Sequence, residues 1–167
     1  MKYFVLTLVL SALIISCSKT TDKEYLDNGT AQLEQKKVVE AVSSFQTLID
    51  EYPESQLAPE AMLKIAQIYQ NKLDTSLTGG ASLKKAVDTF KMIFEKYPNS
   101  EQAPSSLFMS AFILANDLKN YNEATETYKL FLNKYPNDRL SASAKEELDN
   151  MGLSPEEILE KKISSHK

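Results

Sequence analysis

The stretch Val38-Val39-Glu40-Ala41-Val42-Ser43-Ser44-Phe45-Gln46-Thr47-Leu48-Ile49-Asp50-Glu51-Tyr52-Pro53 has two further counterparts in this chain, and both align with it without a gap. They are Leu83-Lys84-Lys85-Ala86-Val87-Asp88-Thr89-Phe90-Lys91-Met92-Ile93-Phe94-Glu95-Lys96-Tyr97-Pro98 and Tyr121-Asn122-Glu123-Ala124-Thr125-Glu126-Thr127-Tyr128-Lys129-Leu130-Phe131-Leu132-Asn133-Lys134-Tyr135-Pro136. Apolar residues fall at offsets 0, 3, 7, 10, 11 and 14 in each segment. That spacing draws one stripe along a helix, and the proline that follows cannot continue the hydrogen-bond ladder. The chain is therefore expected to be all-α, an α-solenoid built from three helical hairpins plus capping helices.

Within the stripe, small and large residues alternate. Ala41, Ala86 and Ala124 are small where a partner helix must approach, and Phe45, Phe90 and Tyr128 lie one turn further along the same face to fill the gap between helices. An Ala, an aromatic four residues on and a Pro twelve residues on (Pro53, Pro98, Pro136) resemble the second half of the tetratricopeptide repeat. The first half of that pattern, Leu-Gly-x-x-Tyr, is matched by Ile65-Ala66-Gln67-Ile68-Tyr69, more loosely by Ser110-Ala111-Phe112-Ile113-Leu114, and by Tyr25 and Gly29 ahead of Ala41. There are departures from the pattern. Gln32 stands where Tyr is usual, and the units are 45 and 38 residues apart rather than roughly 34. The excess lies after each Pro and in the loop Asn71 to Gly80.

The phrase Tyr-Pro-x-Ser before an Ala-rich helix is similar to two bacterial envelope families: the D subunit of the outer-membrane β-barrel assembly machine and the repeat protein that works with Tol-Pal. The first family is longer. The second carries a coiled coil that has no counterpart here. Beyond the third unit, Ser141 to Asn150 is predicted to cap the stack, with Ala142, Ala144 and Leu148 inward. Ser154-Pro155-Glu156-Glu157 is a helix-start signature, and Ile158, Leu159 and Ile163 are expected to pack on the stack.

The N-terminus has the pattern of a secretion address. Lys2 precedes an apolar run from Tyr3 to Leu10, then Ala12-Leu13-Ile14-Ile15. The run is shorter than the ~20 residues a spanning helix needs. It ends at Ile14-Ile15-Ser16-Cys17, which resembles the lipobox of bacterial lipoproteins, where the cysteine thiol receives a diacylglycerol and becomes the new N-terminus. The expected organisation is a signal peptide at 1–16, the lipidated Cys17 and a tether to 23, a repeat domain at 24–150, and a C-terminal helix and tail at 151–167. Ser18, following the cysteine, implies outer-membrane sorting if proteobacterial rules apply, with the helical domain facing the periplasm.

Composition narrows the function classes. A net charge of -4 with a single arginine, Arg139, does not make the basic patch that nucleic-acid binding requires, so no nucleic-acid partner is expected. His166, the only histidine, lies next to the C-terminus. The adjacent acidic pairs Asp50-Glu51, Glu146-Glu147 and Glu156-Glu157 diverge around a helix instead of converging. Gly79-Gly80 with Lys84 lacks phosphate-loop spacing and is expected to be a plain loop ending at an N-cap, Ser82. No acid, base, nucleophile or metal set can be assembled, so neither an enzyme nor a cofactor is expected.

What remains is a surface. The family's groove positions, placed on the first helices, fall on Leu63, Gln67, Gln70 and Asn71 in the second unit and on Phe108, Phe112 and Asn116 in the third. Amides able to pair with a peptide backbone lie beside apolar rings, and these positions carry no basic residue. The expected function is a membrane-anchored scaffold for a protein or peptide partner in the cell envelope, in outer-membrane protein assembly or envelope maintenance. The alternative is a receptor for an extracellular peptide or glycan.

Overall fold

A computed structural model describes residues 19–164, and among these eight helices follow one another without a strand. Cys17, the apolar N-terminal run and His166 lie outside the described residues. The helices are α1 (Asp22–Glu34), α2 (Val38–Glu51), α3 (Ala58–Gln70), α4 (Gly79–Lys96), α5 (Gln102–Asn116), α6 (Tyr121–Lys134), α7 (Ser141–Asn150) and α8 (Pro155–Ser164). From α1 to α7 each helix packs on the next in the chain, and α3 also touches α5. This is the nearest-neighbour packing of an α-solenoid.

The three repeated segments form α2, α4 and α6, and their shared columns form the core. Ala41, Ala86 and Ala124 are fully buried, as are Phe45, Phe90 and Tyr128. Each of these helices ends at the tyrosine before its proline, and Tyr52, Tyr97 and Tyr135 share one cap geometry, with φ near -130° and ψ near 56°. The proline then prevents another turn from forming. Ala66 and Ala111 are likewise buried on the first helices. Gly29 has a tighter requirement: a β-carbon there would lie 2.5 Å from the Phe45 ring. The hairpin turns share a device that the sequence pattern does not announce. Lys36, Lys72 and Lys119 each take a left-handed conformation, with φ of 61°, 55° and 54°, just beyond the end of a first helix.

Four expectations about elements need correction. The helix α4 begins at Gly79 with Thr78 as its cap, Thr78 Oγ1 accepting the Ala81 N–H at 3.3 Å. Ser82 lies inside that helix, fully buried, and donates to the Tyr69 carbonyl at 2.7 Å. The chain read as a tether to residue 23 becomes helical at Asp22, where Thr21 and Glu24 form a reciprocal capping box. On α7 it is Ser141 and Ala144 that are buried, with Leu148 half-buried, whereas Ala142 faces solvent because it lies off that stripe. Finally, α8 starts at the expected Ser154–Glu157 box, but its apolar face is mostly uncovered. Leu159 is 60% and Ile163 54% exposed, and among the described residues no other helix covers them.

Candidate binding face

The first helices α3 and α5 touch, and the candidate groove positions lie on these two helices and the α3 cap. On α3, Leu63 and Gln70 are half-buried and Gln67 is exposed; Asn71 is the exposed C-cap. The side-chain amides of Gln67 and Gln70 are left without a hydrogen-bond partner among the described residues, so both remain free to bond a peptide backbone.

On α5 the groove positions separate. Phe108 belongs to the core: it is 9% exposed and meets Tyr128 and Phe131 edge-on, with ring centroids 5.5 and 5.9 Å away. Phe112 stacks on it at 6.3 Å and keeps one side open. Asn116 is exposed, but its amide is already engaged. Its amide donates to the Phe112 carbonyl and to Glu147 Oε2 on α7, both at 3.3 Å. The helix α5 is largely apolar and packs on both α4 and α6, and its ring contacts to other helices run from Phe108 to α6.

The structure also adds residues to the face. A cleft of about 430 Å³ opens beside Leu63, between the start of α5 and the turn from α6 to α7, and is lined by Gln102, Pro104, Ser105, Arg139 and Leu140 together with Glu101 and Asp138. Arg139 is exposed and forms no ion pair among the described residues. A cation therefore stands at the rim after all, supplied by a turn instead of a helix. Its being the only arginine was the one signal available in the sequence.

The profile of the tetratricopeptide repeat matches residues 29–55, 60–100 and 105–138, one match for each hairpin described above. The chain belongs to the tetratricopeptide repeat family. Proteins of this family generally serve as non-catalytic scaffolds that bind protein or peptide partners, and a protein-binding scaffold is the function class that the three repeats support. The repeat boundaries explain the long spacing: the second match contains the loop between α3 and α4. A comparison with curated proteins gives no match. Among the described residues of this tetratricopeptide repeat protein, no helix is long and apolar enough to cross a membrane, and no group of three or more His, Cys, Asp or Glu side chains could hold a metal ion.

Proposed function

We propose that this protein is a lipid-anchored scaffold of the bacterial cell envelope that holds a protein partner on the face formed by α3 and α5. The observation that carries the reading is the pairing of a repeat stack, whose family binds polypeptides, with Cys17 at the end of a signal-like apolar run. Several acyl chains on one cysteine, at about 0.8 kcal/mol per buried CH₂, are enough to keep the domain at a bilayer while it stays in water. The free amides of Gln67 and Gln70 suit an extended segment of the partner, and Arg139 suits a carboxylate on it. The outer membrane, with the domain in the periplasm, and a part in outer-membrane protein assembly or envelope maintenance form the setting we infer from the likeness to the two envelope families.

Two measurements test this reading. Cells fed a labelled fatty acid should incorporate it into the wild-type chain and not into Cys17→Ser, which should leave the membrane fraction. A photo-crosslinking residue at Gln67 should trap one defined envelope protein, whereas the same residue at the exposed Lys129 on α6 should not. Label retained by Cys17→Ser would remove the anchor. Trapping of the same partner at Lys129 alone would move the binding face to the second helices.

A further inference from the structure

Two positions after Cys17 the chain is already fastened to the first repeat. Tyr52, the cap of α2, donates its hydroxyl to the Thr20 carbonyl at 2.6 Å, and Ser55 in the next turn donates to Asp22 Oδ2 at 2.5 Å. The Lys19 ammonium lies 4.8 Å from the centroid of the Tyr52 ring and 3.4 Å from Glu51 Oε2. The same tyrosine position is used again higher in the stack, where Tyr135 donates to the Pro98 carbonyl at 3.1 Å. Thr20 thus stands to the first repeat as the Tyr97-Pro98 turn stands to the third. The segment is part of the solenoid's edge and not a slack leash.

Helices that alternate in direction place their connections on two opposite edges. The start of α1 and the three Tyr-Pro turns share one edge. The hairpin turns with the left-handed lysines share the other, about 20 Å away for a 13-residue helix at ~1.5 Å per residue. We propose that the Tyr-Pro edge is a bilayer-facing surface, held at the lipid headgroups in a fixed orientation by the docked segment Lys19 to Asp22. This inference rests on lipid attachment at Cys17. Two residues reach at most ~7 Å, so the acyl chains and the clamped edge cannot be far apart. A slack tether would instead let the domain tumble and present any face to the membrane. The cleft beside Leu63 is rimmed by two turns of this same edge, at Glu101 and Arg139. It therefore opens near the bilayer, where a partner that is itself bound to the membrane can enter it.

The test uses the full-length chain, purified from membranes and reconstituted in vesicles of phosphatidylethanolamine and phosphatidylglycerol that carry a nitroxide on a fraction of the headgroups. A fluorophore is placed at Gln56→Cys on the Tyr-Pro edge or at Thr75→Cys on the far edge, both exposed positions. Quenching should be several-fold stronger at position 56. In the Lys19→Ala/Tyr52→Phe background the two sites should approach equality while the melting curve stays cooperative. Mass spectrometry of Cys17 separates the possible failures. If the cysteine carries no lipid, the anchor falls and this orientation falls with it. If lipid is present but the wild-type chain is quenched equally at both sites, or more strongly at position 75, the orientation alone is overturned.

Discussion

Phe45, Phe90 and Tyr128 fill one slot in three successive repeats, yet only Tyr128 brings a hydroxyl into it, and that oxygen is buried without a hydrogen-bond partner among the described residues. Burial pushes the phenol far above its ordinary range, and the Glu147 carboxylate adds to the shift. The fold thus favours the neutral form. Its contribution is intact below the unfolded pKa of about 10 and is lost as pH rises beyond it, because only the unfolded chain then gains by ionising. Tyr128→Phe copies the residue found in the other two repeats and relieves a desolvated hydroxyl. It should raise stability by about 1 kcal/mol at neutral pH and flatten the alkaline decline. Urea midpoints at neutral pH and above pH 10 measure both. Gly29 makes the opposite case. Gly29→Ala drives a methyl into the Phe45 ring and should cost about 1 to 3 kcal/mol. Gly80→Ala, with nothing within 4 Å of the added carbon, should be neutral or stabilising by up to ~1 kcal/mol. Equal midpoints for the two alanine variants would show that α1 does not approach Phe45 so closely.

Elements were legible where one face decides everything. On α2, α4 and α6 the buried column and the polar faces are distinct, so the period of the stripe identifies the helix, and the proline fixes its end. On α5 that logic fails, because a helix apolar nearly all round does not reveal which ring is core; Phe108 was separable from Phe112 only once Tyr128 and Phe131 had been placed against it. Ser82 misled for a related reason. Its partner, the Tyr69 carbonyl, lies 13 positions back across the long loop, and no local capping rule anticipates such a bond. On the candidate face, Gln67 and Gln70 were placed by the groove positions of the family resembled, whereas Arg139 comes from a turn between later helices and so escapes any rule based on first helices. The element that contributes least is α8, tied to α7 by exposed lysines, with Lys161 donating to the Asp149 carbonyl and Lys162 to Glu146. Ending the chain at Ser154 should change unfolding free energy by less than about 0.5 kcal/mol, as read by thermal melting. A loss of several kcal/mol would mean that the α8 apolar face is covered in solution.

At the scale of the whole molecule, the contacts run from each helix to its neighbour, so integrity depends on interfaces between hairpin halves more than on any single centre. The connection between α3 and α4 is the longest in the stack, and it opens with Lys72 exposed in a left-handed turn and Leu73 42% exposed. The helices it joins nevertheless pack closely along their length. Peptide continuity and noncovalent cohesion therefore come apart at this point. Brief trypsin treatment should cut after Lys72 before it cuts elsewhere in the folded domain, and the two pieces should co-elute on size exclusion and separate only in denaturant. If the pieces part under native conditions, the α3–α4 interface is too weak to hold the halves together. If they stay together, the protein can be split at that loop into two complementary fragments that reassemble into one scaffold.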